Sequence, residues 1–101
     1  MGHTSKTSFS SGSDWISTGS MTQVFSGNYT VGAHAGWYSI TLDNSFTYNN
    51  SDNLVIAIDD NTGSYNSSYH DMYHSYENSN QCLYVKSDGT NYNPSSPPSR
   101  N

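Results

Sequence analysis

The chain has 101 residues and a net charge of −5, and only 11% of its residues are charged. This length accommodates one small domain. With three basic residues in all, the chain lacks a cationic surface that would displace counterions from phosphates, so nucleic-acid binding and attraction to anionic membranes are disfavoured.

Short extended segments alternate with turn residues through the first half of the chain. Ser17 to Ser20 and Asn49 to Asp52 consist of residues that favour turns. Between and around these turns the sequence predicts strands over residues 21–26, 29–31, 37–43 and 46–48. In 37–43, Tyr38, Ile40 and Leu42 alternate with polar residues, which predicts that one set points inward.

The most apolar stretch is residues 54–58, which we call the apolar segment; its residues are Leu54, Val55, Ile56, Ala57 and Ile58. It ends at a run of turn residues, 59–63. A short apolar run closed in this way predicts a strand that is buried on both faces.

Two further strands are predicted over residues 69–76 and 82–86, whereas 91–101 contains three prolines and is predicted to be coil. No window has the spacing of an amphipathic helix. Turns every eight to twelve residues or so favour an antiparallel β-sandwich or a barrel. The predicted organisation is one sandwich domain over 1–90 and a Pro/Ser/Asn-rich coil over 91–101.

The sequence favours structural rather than chemical roles for its cysteine and for two of its histidines. Cys82 is the only cysteine, so no intrachain disulfide forms, and its strand-like context predicts a buried small side chain. A reactive thiol needs a neighbouring His or positive charge, and neither is adjacent. His70 and His74 are four residues apart, about 13 Å on a strand, which is too far to chelate one zinc ion.

Asp59, Asp60 and Asn61 offer the oxygen ligands that Ca²⁺ prefers. The spacing is not that of an EF-hand, and the alternative is a turn in which the Asp side chains accept hydrogen bonds from backbone N–H groups. Both interpretations stay open, with Ca²⁺ as the one cofactor considered.

Trp37, Tyr69 and Tyr73 are the best candidates for a surface on which a sugar ring would stack. The alternative is that the tryptophans belong to the core and the tyrosines are half-buried sheet residues. No catalytic residues are assigned. The sequence has no nucleophile elbow, and its only glutamate, Glu77, lies in a predicted turn rather than in the apolar cleft that a glycosidase acid needs.

Several segments, taken in order, resemble a β-sandwich module of the jelly-roll or cleaved-adhesin kind from secreted multidomain proteins of Bacteroidetes. The segments are residues 3–9, 14–16, 24–27, 46–49, 52–54, 59–64 and 84–94. The resemblance implies a secreted or cell-surface location, tolerance of calcium, and binding rather than catalysis. It also implies truncation at both ends, since the pattern has one strand before residues 1–3 and one after 99–101.

The sequence therefore predicts a non-catalytic extracellular module that binds a glycan or a protein surface, without membrane insertion and with no signal peptide in this chain. Two alternatives stay open. One is a structural unit whose exposed strand edges pair copies into homo-oligomers. The other is an accessory fragment of a secreted hydrolase.

Overall fold

The computed structural model of the chain describes residues 1–30, 32, 36–63 and 80–100. The regular elements in these residues are two short strands, β1 (Gly2–Thr4) and β2 (Asn53–Val55), and a 3₁₀ turn (Thr18–Ser20). The described residues contain no α-helix, in agreement with the prediction for this part of the chain. Together β1 and β2 form a two-stranded antiparallel sheet.

The sheet aligns Gly2 with Val55, His3 with Leu54 and Thr4 with Asn53. Gly2 is buried, and a Cβ atom at this position would lie 3.1 Å from the Met21 Cγ and 3.3 Å from the Val55 Cγ1. A side chain at this position would therefore require the Met21 or Val55 side chain to shift by a few tenths of an ångström.

The imidazole ring of His3 fixes the other face of β1 against residues 46–49. Its centroid lies 4.9 Å from that of Phe46 and 5.9 Å from that of Tyr48. Its Nε2 accepts a hydrogen bond from the backbone N–H of Asn49 at 3.1 Å. The imidazole thus joins β1 to a distant turn through ring contacts and one hydrogen bond.

That turn is closed by the side chain of Asn49. Its Oδ1 accepts the backbone N–H groups of Ser51 and Asp52 at 3.1 Å each, and its Nδ2 donates to the Asp52 carboxylate at 2.7 Å. Asn50 has a φ of 60°, a left-handed conformation that asparagine tolerates better than most residues. The predicted turn over 49–52 is confirmed.

The predicted turn over 17–20 is also present. The Ser17 hydroxyl accepts the Gly19 N–H at 3.3 Å, and its carbonyl accepts the Ser20 N–H at 3.2 Å. Beyond this turn, the backbones of Met1 and Thr22 exchange two hydrogen bonds, of 2.8 and 2.7 Å. The start of the chain is therefore held against residues 20–22.

The C-terminal segment lies against residues 12–18. The indole Nε1 of Trp15 donates to the Pro98 carbonyl at 2.9 Å, and the Arg100 N–H donates to the Gly12 carbonyl at 2.8 Å. Residues 91–100 contain no strand or helix. Specific hydrogen bonds therefore hold this segment in place.

The described residues enclose little apolar surface. Val24, at 9% exposure, is the one buried apolar side chain among the described residues. The radius of gyration is 14.8 Å, against about 13 Å for a compact domain of this length. A chain that buries so little apolar surface has a small hydrophobic contribution to its stability.

The structure corrects three expectations. The apolar segment is not buried: Leu54 is 45% exposed, Ile56 59% and Ile58 87%, and β2 ends at Val55. Cys82 is exposed rather than buried. Residues 21–26, 37–43, 46–48 and 82–86 are not strands. The predicted strand at 69–76 lies outside the described residues, and so does part of the one at 29–31.

The common physical reason is that burial requires a covering layer. An apolar run indicates that its burial would be favourable, but the covering layer has to come from another part of the chain. None of the described residues closes over the outer side of the apolar segment, so its side chains meet solvent.

Candidate binding surface

The apolar segment forms part of the wall of an open cleft of about 1580 Å³, which we call the apolar cleft. Residues 83–85 also line it. Leu83 and Val85 are half-buried there, whereas Tyr84 is exposed. Two stretches of apolar residues, far apart in the sequence, therefore share one solvent-filled depression.

The backbone of residues 56–58 is as open as the side chains. β2 pairs with β1 only through Val55. None of the described residues makes a hydrogen bond with the backbone N–H or C=O groups of Ile56, Ala57 or Ile58. Exposed apolar side chains beside free backbone groups are what a partner strand binds in edge-strand recognition.

Acidic side chains stand at the end of the apolar segment. The Asp60 carboxylate accepts hydrogen bonds from the backbone N–H of Thr62 at 2.9 Å and from its hydroxyl at 2.6 Å. The hydroxyl first, and then the N–H, lower the pKa of Asp60. This carboxyl therefore stays ionised to lower pH than an ordinary aspartate.

The predicted calcium ligands are adjacent in the structure but bond mainly within their own loop. Asp59 accepts a hydrogen bond from the Asn61 Nδ2 at 2.9 Å, and Asp60 binds Thr62 as above. These are the contacts expected if residues 59–62 form a turn rather than a metal site. The described residues contain no group of three or more His, Cys, Asp or Glu side chains placed to hold a metal ion. Calcium binding at these residues stays a prediction.

The predicted sugar-stacking residues are only partly placed. Trp37 is fully exposed, at 103%, so the interpretation of Trp37 as a core residue is wrong. Tyr69 and Tyr73 lie outside the described residues, as do His70 and His74. Of the three predicted stacking residues, the structure therefore places only Trp37, which is exposed, and it does not test the three-residue platform.

Sequence reasoning missed the second wall of the cleft as a binding element. Residues 83–85 were predicted only as a strand. The available signal was the pairing of two apolar runs, 54–58 and 82–85, in a chain that is 32% hydrophobic. Two such runs in so polar a sequence are expected to pack against each other. Nothing in either run shows that an open cleft remains between them.

Comparisons with protein-family models, with curated proteins and with solved structures found no match for this chain. The resemblance to a secreted adhesin-like module stays a prediction. Within the residues that the structure describes, no helix is long and apolar enough to cross a membrane.

Proposed function

We propose that this chain is a non-catalytic binding module of the cell surface or the extracellular medium, and that it binds an extended protein segment in the apolar cleft. The observation that carries the proposal is the exposure of Ile56 and Ile58 beside backbone groups without described partners. Contiguous exposed apolar surface is uncommon on soluble monomers and is typical of interaction sites.

The scarcity of enclosed apolar surface supports the same proposal. A chain with one buried apolar side chain among its described residues gains stability when a partner covers Ile56 and Ile58, because binding to the folded state alone shifts the folding equilibrium. We also propose that the fold is an antiparallel β-sandwich to which the partner segment adds a strand; the antiparallel pairing of β1 with β2 supports this.

The test is binding to an array of peptides with alternating apolar and polar residues. We expect Ile58→Thr to weaken binding about tenfold, since a lost apolar contact of this size is worth about 1.4 kcal/mol. Ile40→Thr is the matched control, because Ile40 is 48% exposed but does not line the cleft. Equal binding by the wild type and both variants would contradict the proposal.

Glycan binding is a second candidate, supported by the full exposure of Trp37. A flat indole face in solvent is suited to stacking on a sugar ring. A glycan array tests it: binding that Trp37→Ala removes and Ile58→Thr preserves would favour glycans, and an array without binding would eliminate this candidate.

A structural calcium ion at Asp59, Asp60 and Asn61 is proposed as an accessory feature. One oxygen of each carboxylate has no hydrogen-bond donor among the described residues, which leaves it free for a hard cation. Thermal unfolding in calcium and in a chelator tests this, with Asp88→Asn as the control variant. An identical melting temperature in both solutions would remove calcium from the proposal.

A further inference from the structure

The charges that line the apolar cleft are unbalanced. Asp59, Asp60 and Asp88 line it, as do Lys6 and Lys86. The Lys6 ammonium is already paired, because it forms an ion pair with Asp14 at 2.7 Å. Among the described residues, three lining carboxylates then stand against the ammonium of Lys86. The Arg100 guanidinium, 5.4 Å from the centroid of the wall residue Tyr84, is a second cation beside the cleft, so these described groups leave an excess of one negative charge.

The backbone determines the form of the occupant. β2 runs directly into residues 56–58, whose backbone groups have no partner among the described residues. A segment that hydrogen-bonds to this edge must itself be extended, and every second side chain of it then points toward the apolar wall. The occupant needs apolar residues at alternate positions.

A second copy of the chain fits this cleft poorly. Pairing the apolar segment with itself in antiparallel fashion, centred on Ile56, places Asp52 directly opposite Asp60. Like charges that face each other across a strand pair are destabilising. Each chain also carries a net charge of −5, so two copies repel each other at long range.

We propose that the apolar cleft takes an extended peptide segment of another protein, apolar at alternate positions and carrying Lys or Arg at its flanks. This inference rests on the proposed function and adds the chemistry of the partner. The apolar wall supplies affinity, and Asp59, Asp60 and Asp88 select the basic flanks.

The experiment measures the binding of three labelled peptides by fluorescence anisotropy. All share one alternating Val/Thr core, and the flanks are Lys, Gln or Glu. We expect the Lys peptide to bind about fivefold more tightly than the Gln peptide and the Glu peptide to bind most weakly, since each exposed ion pair is worth up to about 1 kcal/mol. The preference should shrink at 1 M salt, where charges are screened.

Paired variants locate the selectivity. Asp88→Asn should reduce the preference for the Lys peptide and leave the affinity for the Gln peptide unchanged, and Asp59→Asn should do the same. Asp43→Asn is the matched control, because Asp43 does not line the cleft.

The possible failures are distinguishable. Equal affinity for all three peptides would overturn this inference and leave the proposed function standing. No binding by any peptide would overturn both. A dimer in sedimentation that Ile58→Thr dissociates and the Lys peptide does not would assign the cleft to a second copy instead.

Discussion

The loops of residues 8–20 and the apolar segment differ in whether their groups find partners within the chain. In the loops, the Asp14 carboxylate binds the Lys6 ammonium, the Ser10 N–H and the Ser10 hydroxyl at 2.7–3.0 Å. In the apolar segment, Ile56 and Ile58 are exposed and their backbone has no described partner. The polar groups of these loops thus find hydrogen-bond partners nearby in the chain, whereas the apolar side chains of Ile56 and Ile58 remain exposed to solvent.

The difference follows from the range of the two interactions. A serine or aspartate side chain reaches a backbone group two to four residues away, so a turn closes without help from the rest of the chain. Burying an isoleucine requires many atoms from several segments. A short, polar chain can therefore form well-closed turns without enclosing a hydrophobic core.

The largest expected effect comes from filling the close contact between β1 and its neighbours. Gly2→Val places a branched side chain where the Met21 Cγ and Val55 Cγ1 already lie within 3.3 Å of a Cβ position. We expect a loss of about 2 kcal/mol in the free energy of unfolding, as for other overpacked sites, measured by urea denaturation. Gly89→Val is the control, because nothing lies within 4 Å of a Cβ there. Equal losses in both variants would mean that the contact at Gly2 is not restrictive.

The sequence predicted the local part of the structure and missed the long-range part. The turns closed by Ser17 and Asn49 were predictable because their residue types act on neighbouring backbone. The pairing of β1 with β2 joins positions about fifty residues apart. A period of two in a strand indicates which side chains share a face but not which strand lies beside it.

The same limit applies to the candidate site. The apolar character of residues 54–58 was evident, and so was the acidic run that follows them. Their exposure was not, because it depends on whether another layer covers Ile56 and Ile58. Trp37 was one of three possible stacking residues, and the sequence left open whether it belonged to the core. Its exposure in the structure decides against the core.

A smaller effect is expected where the C-terminal segment is attached. Trp15→Phe removes the hydrogen bond from the indole Nε1 to the Pro98 carbonyl, so we expect a loss of about 1 kcal/mol in the free energy of unfolding. Trp37→Phe is the matched control, because Trp37 is fully exposed and should cost almost nothing. If both variants unfold at the same urea concentration as the wild type, the attachment contributes no stability.

The ion pair between Lys6 and Asp14 should appear as a pH dependence. The hydrogen bond from Lys6, then those from Ser10, lower the pKa of Asp14 from 3.8 to about 2. The folded state binds this proton more weakly than the unfolded state, so the contribution is complete above pH 4 or so and is lost as the pH falls through about 2.

An NMR titration of the side-chain carboxyls measures this directly. Lys6→Met should raise the pKa of Asp14 toward its ordinary value of 3.8, and Lys86→Met, which removes an ammonium without a described partner, should leave the pKa of Asp14 unchanged. An unaltered pKa in Lys6→Met would assign the shift to Ser10 alone.

The smallest expected effect on the free energy of unfolding is that of a substitution in the apolar segment. Its size distinguishes an open cleft from a closed sandwich. Ile58→Thr exchanges one exposed branched side chain for another, so we expect the free energy of unfolding of the isolated chain to change by less than about 0.5 kcal/mol. Val24→Ala, at the buried position, should cost about 1–2 kcal/mol in the same urea experiment. A loss at Ile58 as large as that at Val24 would show that a second layer covers Ile58 in solution, and the apolar cleft would then be an interior rather than a binding surface.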